Sequence, residues 1–442
     1  MIVVKIPKSF HCEITYIIDC LLGDFLGLEY TLEISDVQNT IINYQGKQII
    51  LENHFFKGNI QELYQRDHLP NSVSKDTIEI DGETLNFTVL YGEKRLDINP
   101  NEIIVHFDII AASFFMLTRW EEGISNEVDA WGRFDYRNAT SVKYDFYHRP
   151  IVNEYVEILK KVLQKIGVHI NPKKTYKPII SFDIDSVKKW KNGKSILGAT
   201  YNNLRNQKIN YTIEDLRSYL KTLLRIENDP ANSFDFIITT LKELNIQDAI
   251  FYFKTMKTDN YFDKNEYNIS SSDIKKTISN ILQAGFKVGI HPSYHTFLNK
   301  EQLSNEIDLL KIPTDSNSID HSRQHYLRFK IPHTWNILNQ LAVQYDSSMI
   351  YSYKAGFRCG ICYDFPLFDY QKRQVLNIRE IPLLLMETNY LKNPKLDLLK
   401  DAKKITEIVK SYDGINMMLW HNENLDFDDR KQDFENLLQI IR

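Results

Sequence analysis

The sequence predicts an α/β domain over residues 176–442, preceded by an α+β domain over residues 1–175. Three observations carry this. The length of 442 residues exceeds what one core usually supports. From Lys177 onward, short apolar runs alternate with amphipathic helical segments, a pattern of strands joined by helical crossovers. Before about Thr175 that alternation is missing.

Seven runs read as strands: Pro178–Asp185, Asp248–Lys254, Phe286–His291, Arg323–Phe329, Val343–Ser348, Gln374–Pro382 and Ile415–His421. Between them, Phe234–Asn245, Asp273–Gly285, Ser304–Lys311, Thr334–Ala342 and Asp397–Tyr412 carry apolar residues at helical spacing. Seven parallel strands can close into a barrel or stay open. Trp190–Asn228 interrupts the first strand–helix step and reads as partly helical. Tyr351–Tyr370 is rich in Gly, Cys and aromatics and reads as a long functional loop. Upstream, Ile103–Glu122 reads as a buried helix, Asp129–Pro150 as a turn-rich aromatic stretch, and Ile151–Gly167 as an amphipathic helix. No arrangement of catalytic groups is visible there, so the first domain is expected to be structural or to position a substrate.

Composition narrows the class. Apolar residues make up 43% and charged residues 25%, an ordinary soluble balance. The net charge of −4 supplies no basic field for nucleic acid, and no nucleic-acid partner is expected. A local basic excess between Lys188 and Arg205 reads as a solvated surface. The N-terminus lacks signal-peptide character and no apolar run is long enough to span a bilayer, which predicts a cytoplasmic chain without transmembrane segments. Peripheral membrane contact through Trp190–Asn228 is the one membrane role left open. Four cysteines are too few for a disulfide framework, and Cys359 and Cys362 read as packed thiols in a loop.

The chemistry sits at the ends of the apolar runs. One run leads into Asp183-Ile184-Asp185, another into His291-Pro292-Ser293-Tyr294-His295, and the last into His421. In parallel α/β folds, C-terminal strand ends converge on the face that holds active sites. Aspartates at i, i+2 on a strand share one side, so one can hold a cation while the other stays free as a base. Asp also caps helices and turns, but this pair ends an apolar run. His291 and His295 are spaced i, i+4, which on a helical turn would place both imidazoles on one face. Twelve histidines make such a pair unremarkable by itself, and Pro292 puts His291 before any helix. Two histidines and a carboxylate suit a divalent transition metal, zinc by default. His421 could protonate a leaving amine.

The order Asp183-x-Asp185, His291-x-x-x-His295, Arg323-x-x-Tyr326 and a late strand ending in His421 resembles the polysaccharide deacetylases (carbohydrate esterase family 4), from Lys177 to the C-terminus. The segments Phe114–Glu122, Trp131–Tyr136 and His148–Tyr155 are also similar to the N-terminal domain of a bacterial subgroup associated with surface polysaccharide synthesis. The resemblance implies a distorted seven-stranded (β/α) barrel as the catalytic domain and, as partner, an N-acetylated sugar or polysaccharide precursor. By position, Asp183 matches the base, and Asp185, His291 and His295 the metal ligands. Arg323 matches the residue that orients the base, Tyr326 the donor of an oxyanion N–H, and His421 the acid. Asp346 falls near the motif that tunes that acid. In this chain Ile184 separates the aspartates and Ser186 replaces the usual Gly, and both prolines of the Arg motif are missing. Hydrolysis of another C–N bond, or glycan binding without turnover, remains open on the same residues.

Overall fold

The computed structural model describes residues 1–171, 174–205, 209–256, 261–263, 267–393 and 395–442. Its N-terminal part contains β1 (Ile2–Pro7), β2 (Tyr30–Ser35), β3 (Thr40–Tyr44), β4 (Lys47–Leu51), β5 (Ser74–Ile80), β6 (Glu83–Val89), β7 (Gly92–Ile98) and β8 (Glu102–Phe107). Six of these form a mixed sheet in the order β2-β1-β3-β4-β8-β7, and β5-β6 form a separate hairpin. Gln45-Gly46 and Asp81-Gly82 turn the β3–β4 and β5–β6 hairpins with both central residues at positive φ, the geometry that matches strand twist in two-residue turns.

The stretch expected to be one buried helix divides at Asp108. Residues before it pair as β8, and Ile109–Thr118 form a wholly buried helix. Asp108 causes the division: its carboxylate accepts from Ala111 N at 2.8 Å and from His54 N at 2.7 Å, capping the helix and tying it to the loop after β4. Ile151–Lys165 is helical as its periodicity predicts.

The second part is built on a nine-stranded sheet. It contains β9 (Lys177–Ile184), β10 (Ala249–Phe253), β11 (Lys287–Ile290), β12 (His321–Ser322), β13 (Tyr345–Asp346), β14 (Phe365–Asp369), β15 (Gln374–Glu380), β16 (Leu383–Met386) and β17 (Ile415–His421). Their order is β14-β15-β13-β12-β11-β10-β9-β17-β16, with only the β14–β15 pair antiparallel. The expectation of an α/β sheet with crossover helices agrees with this. The expectation of a distorted seven-stranded (β/α) barrel is met in part: the sheet curls like part of a barrel, but it has nine strands and keeps two edges, β14 and β16. The run Arg323–Phe329 is not a strand. Pairing stops after Ser322, and a short 3-10 turn follows at His325–Leu327. In compensation, β14 forms inside the stretch expected to be loop, and β16 forms from Leu383–Met386.

Strand alternation decides what faces the hollow of the curled sheet. On β9, Ile179, Ser181 and Asp183 share one side, and on β17 so do Met417, Leu419 and His421. Ile179, Ile250, Tyr252, Met417 and Leu419 form a small inner core. The opposite side of β9, with Ile180, Phe182 and Ile184, belongs to the larger core under the helices.

That larger core runs without interruption from the N-terminal part into the sheet domain. Tyr16 stacks on Phe368 at 4.8 Å and donates to Pro366 O at 2.8 Å. Arg358 Nε reaches Glu122 at 3.0 Å. The loop 351–364 is part of this seam: Val152 N donates to Gly360 O at 2.8 Å and Cys362 N to Asn153 at 3.0 Å. Cys359, Cys362, Phe357, Arg358, Tyr363 and Phe365 are all buried in it. These side chains pack the two parts together, and burial holds both thiols well above their ordinary range.

Candidate metal and catalytic site

At the C-terminal ends of β9, β11 and β12, three side chains converge. Asp185, His291 and His325 each offer one ligand atom, and these atoms lie within 4.8 Å of one another. His291 Nε2 is 3.6 Å and His325 Nε2 3.3 Å from Asp185 Oδ1. The rest of each ring is fixed from behind. His291 Nδ1 lies 2.6 Å from Arg323 O, and His325 Nδ1 lies 2.9 Å from an Asp263 carboxylate oxygen. A carbonyl only accepts, so His291 Nδ1 carries the proton and its Nε2 lone pair faces inward. Asp263 favours the same tautomer in His325. Among the described residues, Asp185 Oδ1 is buried without a hydrogen-bond partner. An orphaned carboxylate oxygen opposite two inward imidazole lone pairs fits a divalent transition metal.

His295 does not join this group, which corrects the expected ligand set. Residues 291–295 are not helical. Residues 292–295 form a loop that Glu306 and Asp263 pin by accepting from Ser293 N and Tyr294 N, each at 2.9 Å. Without the helical turn the i, i+4 spacing loses its meaning, and His295 ends exposed. His325 takes its place. It lies within the Arg323–Tyr326 segment that the sequence had already marked, one residue before Tyr326.

Asp183 lies beside this group with Oδ2 3.7 Å from His291 Nε2. Arg323 reaches its other oxygen at 3.2 Å and is itself fully buried. That guanidinium is held by Ser181 Oγ at 2.8 Å and by Ser347 O and Oγ at 3.0 Å, and it lies 4.6 Å over the Tyr252 ring. Gly289 faces Tyr252 across β10–β11, and a Cβ there would come within 2.7 Å of the ring. The glycine thus makes room for the platform under Arg323.

His421 is opposite Asp183 in the β17–β9 register. Glu387, just beyond β16, accepts from His421 N at 2.9 Å and lies 2.7 Å from its Nδ1. Burial opposes a charge on this ring. The carboxylates of Glu387, Asp183 and Asp185 outweigh it and hold His421 up at about 10. Asp346, the residue expected to tune His421, is elsewhere: it is buried on β13 and accepts from Ser348 at 3.0 Å. Glu387 is the carboxylate in contact with His421, and no sequence motif marks it.

The same environment polarises the other groups. Burial lowers His291 to about 4. Burial alone would raise Asp185, but His325, His291 and Lys254 hold it well below the usual carboxylate range. Lys254 Nζ is 4.0 Å from Asp185 Oδ1. Burial and the Asp185 charge raise Glu423 to about 7.

A cavity of about 380 Å³ opens over Asp183, Asp185, His291, His325 and His421. One wall comes from the N-terminal part. Trp131 stacks on Tyr326 at 5.2 Å, and Arg133 donates to Tyr326 O at 3.1 Å. Tyr326 adopts φ 58° in this turn. A second hollow of about 460 Å³ shares Asp185, His325 and Tyr326 and is lined by Lys188, Lys189 and Lys254.

Residues 2–167 match the model of a family described as a family of unknown function (DUF7033). No curated protein matches. Solved structures similar to this chain include deacetylases and a carbohydrate esterase. One, from Mycobacterium smegmatis and assigned as a polysaccharide deacetylase, is 13% identical with a TM-score of 0.39, covering 62% of this chain and 85% of its own. A family 4 carbohydrate esterase from Bacillus anthracis is 13% identical with a TM-score of 0.28, covering 64% and 85%. A peptidoglycan deacetylase from Bacillus subtilis is 11% identical with a TM-score of 0.27, covering 60% and 85%. Likeness at this level carries no weight for activity or substrate, which rest on the side-chain geometry.

Proposed function

We propose that the chain is a metal-dependent deacetylase that hydrolyses the N-acetyl group of an amino sugar in a surface polysaccharide or its precursor, the precursor being handled in the cytoplasm. The observation that carries this is the pairing of Asp183 and His421 on adjacent strands beside the Asp185, His291 and His325 cluster. A carboxylate held by Arg323 and an imidazolium held by Glu387 supply a base and an acid to one cavity.

Asp185, His291 and His325 would hold the metal, zinc by the donor set, which when bound supplies Lewis-acid polarisation of water and of the acetamide carbonyl. Asp183 takes a proton from the attacking water as its oxygen bonds to the carbonyl carbon. Arg323 keeps the carboxylate turned toward that water. The backbone N–H of Tyr326 donates to the oxyanion of the tetrahedral intermediate. His421 gives its proton to the sugar nitrogen as the C–N bond breaks, releasing acetate and a free amine. Trp131 offers a ring face against which a sugar can stack at the cleft wall.

The test is acetate release from a panel of N-acetylated sugars and non-sugar amides. Wild type should release acetate from the sugars. Asp183→Asn should retain the metal yet lose at least about a hundredfold in rate. Turnover of amides alone would move the substrate class, and an Asp183→Asn variant as active as wild type would remove Asp183 from its role.

A further inference from the structure

The strand–helix step after β9 is interrupted by two helices, Gly193–Arg205 and Ile209–Leu223. Each is amphipathic, and each turns its apolar stripe outward. Leu197, Tyr201 and Leu204 repeat at i, i+4, i+7 on the first helix, and all are more than half exposed. On the second, Ile213, Leu216, Leu220 and Leu223 repeat at i, i+3, i+7, i+10 and are 45–63% exposed. Ten of the twenty-one exposed large apolar side chains among the described residues fall between Leu197 and Ile226, so the patch is concentrated on this element. A surface helix of a globular domain ordinarily buries that stripe.

The polar side of the hairpin is the side that faces the protein. Lys189 Nζ bridges Asp215 and Asp426 at 2.6 Å each, and Trp190 Nε1 donates to Ser218 at 3.0 Å. Tyr211 stacks on Phe427 at 4.1 Å. The apolar face is therefore directed away from the fold by specific contacts. Lys189 and Asp426 also line the hollow that contains Asp185, so the hairpin stands at the mouth of the cleft.

Charge identifies what covers the face. Residues 188–228 contain nine Lys and Arg against three Asp and Glu, in a chain of net charge −4. Lys194, Arg205, Arg217 and Arg225 are exposed along the hairpin. A second copy of the same face would bring like charges together, and protein contact centres are depleted in lysine. A basic rim around an exposed leucine stripe suits the headgroup–acyl boundary of an anionic bilayer. We infer that the two helices Gly193–Arg205 and Ile209–Leu223 dock the chain on an anionic lipid surface, with the cleft mouth held at headgroup level. The inference does not depend on the hydrolytic reading. Where both hold, the amino sugar reaches the site on a lipid carrier.

The experiment is co-sedimentation of the full-length protein with vesicles of phosphatidylcholine alone and with about one third phosphatidylglycerol. Wild type should pellet with the anionic vesicles, less so as salt rises, and weakly with the neutral ones. Leu216→Glu/Leu220→Glu replaces two exposed side chains with good helix formers. It should keep the far-UV circular dichroism and the metal content of wild type and bind at least about tenfold more weakly. Arg217→Glu/Arg225→Glu should remove the preference for anionic vesicles. Wild type that stays in the supernatant, or a leucine variant that pellets as wild type does, overturns the inference. So does a lipid-free dimer that the leucine substitutions dissociate when no vesicle binding occurs, because the face would then be a contact between copies.

Discussion

Replacing His325 by Ala should abolish tight metal binding, while His295→Ala should leave it unchanged. His325 places Nε2 3.3 Å from the orphaned Asp185 oxygen, with its other nitrogen 2.9 Å from an Asp263 carboxylate oxygen. His295 is exposed and outside the cluster. Loss of a group that only orients a metal-bound histidine costs about 10- to 100-fold in affinity. Asp263→Asn should fall in that range. Removing the ligand itself should cost more, at least about a hundredfold, because two protein donors remain of three. Competition against a calibrated chelator at fixed pH, with elemental analysis of each variant, reads both effects without any substrate. The pH must be fixed because burial already lowers His291 to about 4, so protons compete with metal mainly at His325. Metal loss in His295→Ala with retention in His325→Ala would refute the ligand set drawn from the geometry and restore the one suggested by spacing.

Glu387→Gln should move the alkaline limb of the pH–rate profile toward neutrality by at least about one unit, because Glu387 is the largest support for the His421 charge against burial. The sign carries over to stability of the chelated protein. A histidine raised from about 6.5 to about 10 stabilises fully below the lower value, and that contribution is lost as pH rises through the upper one, so thermal midpoints of wild type should fall across this window more than those of the variant. Gly289→Ala should destabilise by about 1–3 kcal/mol in urea unfolding, since the added Cβ meets the Tyr252 ring at 2.7 Å and the His321 carbonyl at 2.8 Å. It should also lower the rate by displacing the ring that lies under Arg323, and a variant with wild-type stability would show that the strands yield without cost.

What was legible in the sequence depended on local periodicity. Asp183, Asp185, His291 and His421 stand where buried parallel strands run out, and an apolar run ending in a polar group is visible in one dimension. His325 follows a strand of only two residues, too short for any period to announce it. The i, i+4 spacing of His291 and His295 has meaning only on a helix, and side-chain bonds from Glu306 and Asp263 hold that stretch as a loop. β16 has no sequence boundary of its own because Leu383–Met386 adjoins the Gln374–Pro382 run, and Glu387 lies just beyond it. Six of the seven expected runs hold a strand of the nine-stranded sheet; β12 spans only two residues, β14 lies within a stretch rich in turns and β16 adjoins another run, so none of these three has a period of its own.

The N-terminal part illustrates the complementary case. Nothing in Asp129–Pro150 marks a catalytic wall, since Trp131 and Arg133 acquire that role only by meeting Tyr326 across nearly two hundred residues of sequence. The same long-range logic explains the buried cysteines. Cys359-Gly360-Ile361-Cys362 has redox-like spacing, but Val152 and Asn153 bond to its backbone and bury both thiols in the seam. A loop that looks functional in sequence thus joins the two parts, and a stretch expected to be structural or to position a substrate lines the cleft. Both exchanges depend on contacts between distant parts of the chain: the thiols lie in the apolar core that crosses the seam, whereas Trp131 and Arg133 are placed by direct contact with the Tyr326 turn.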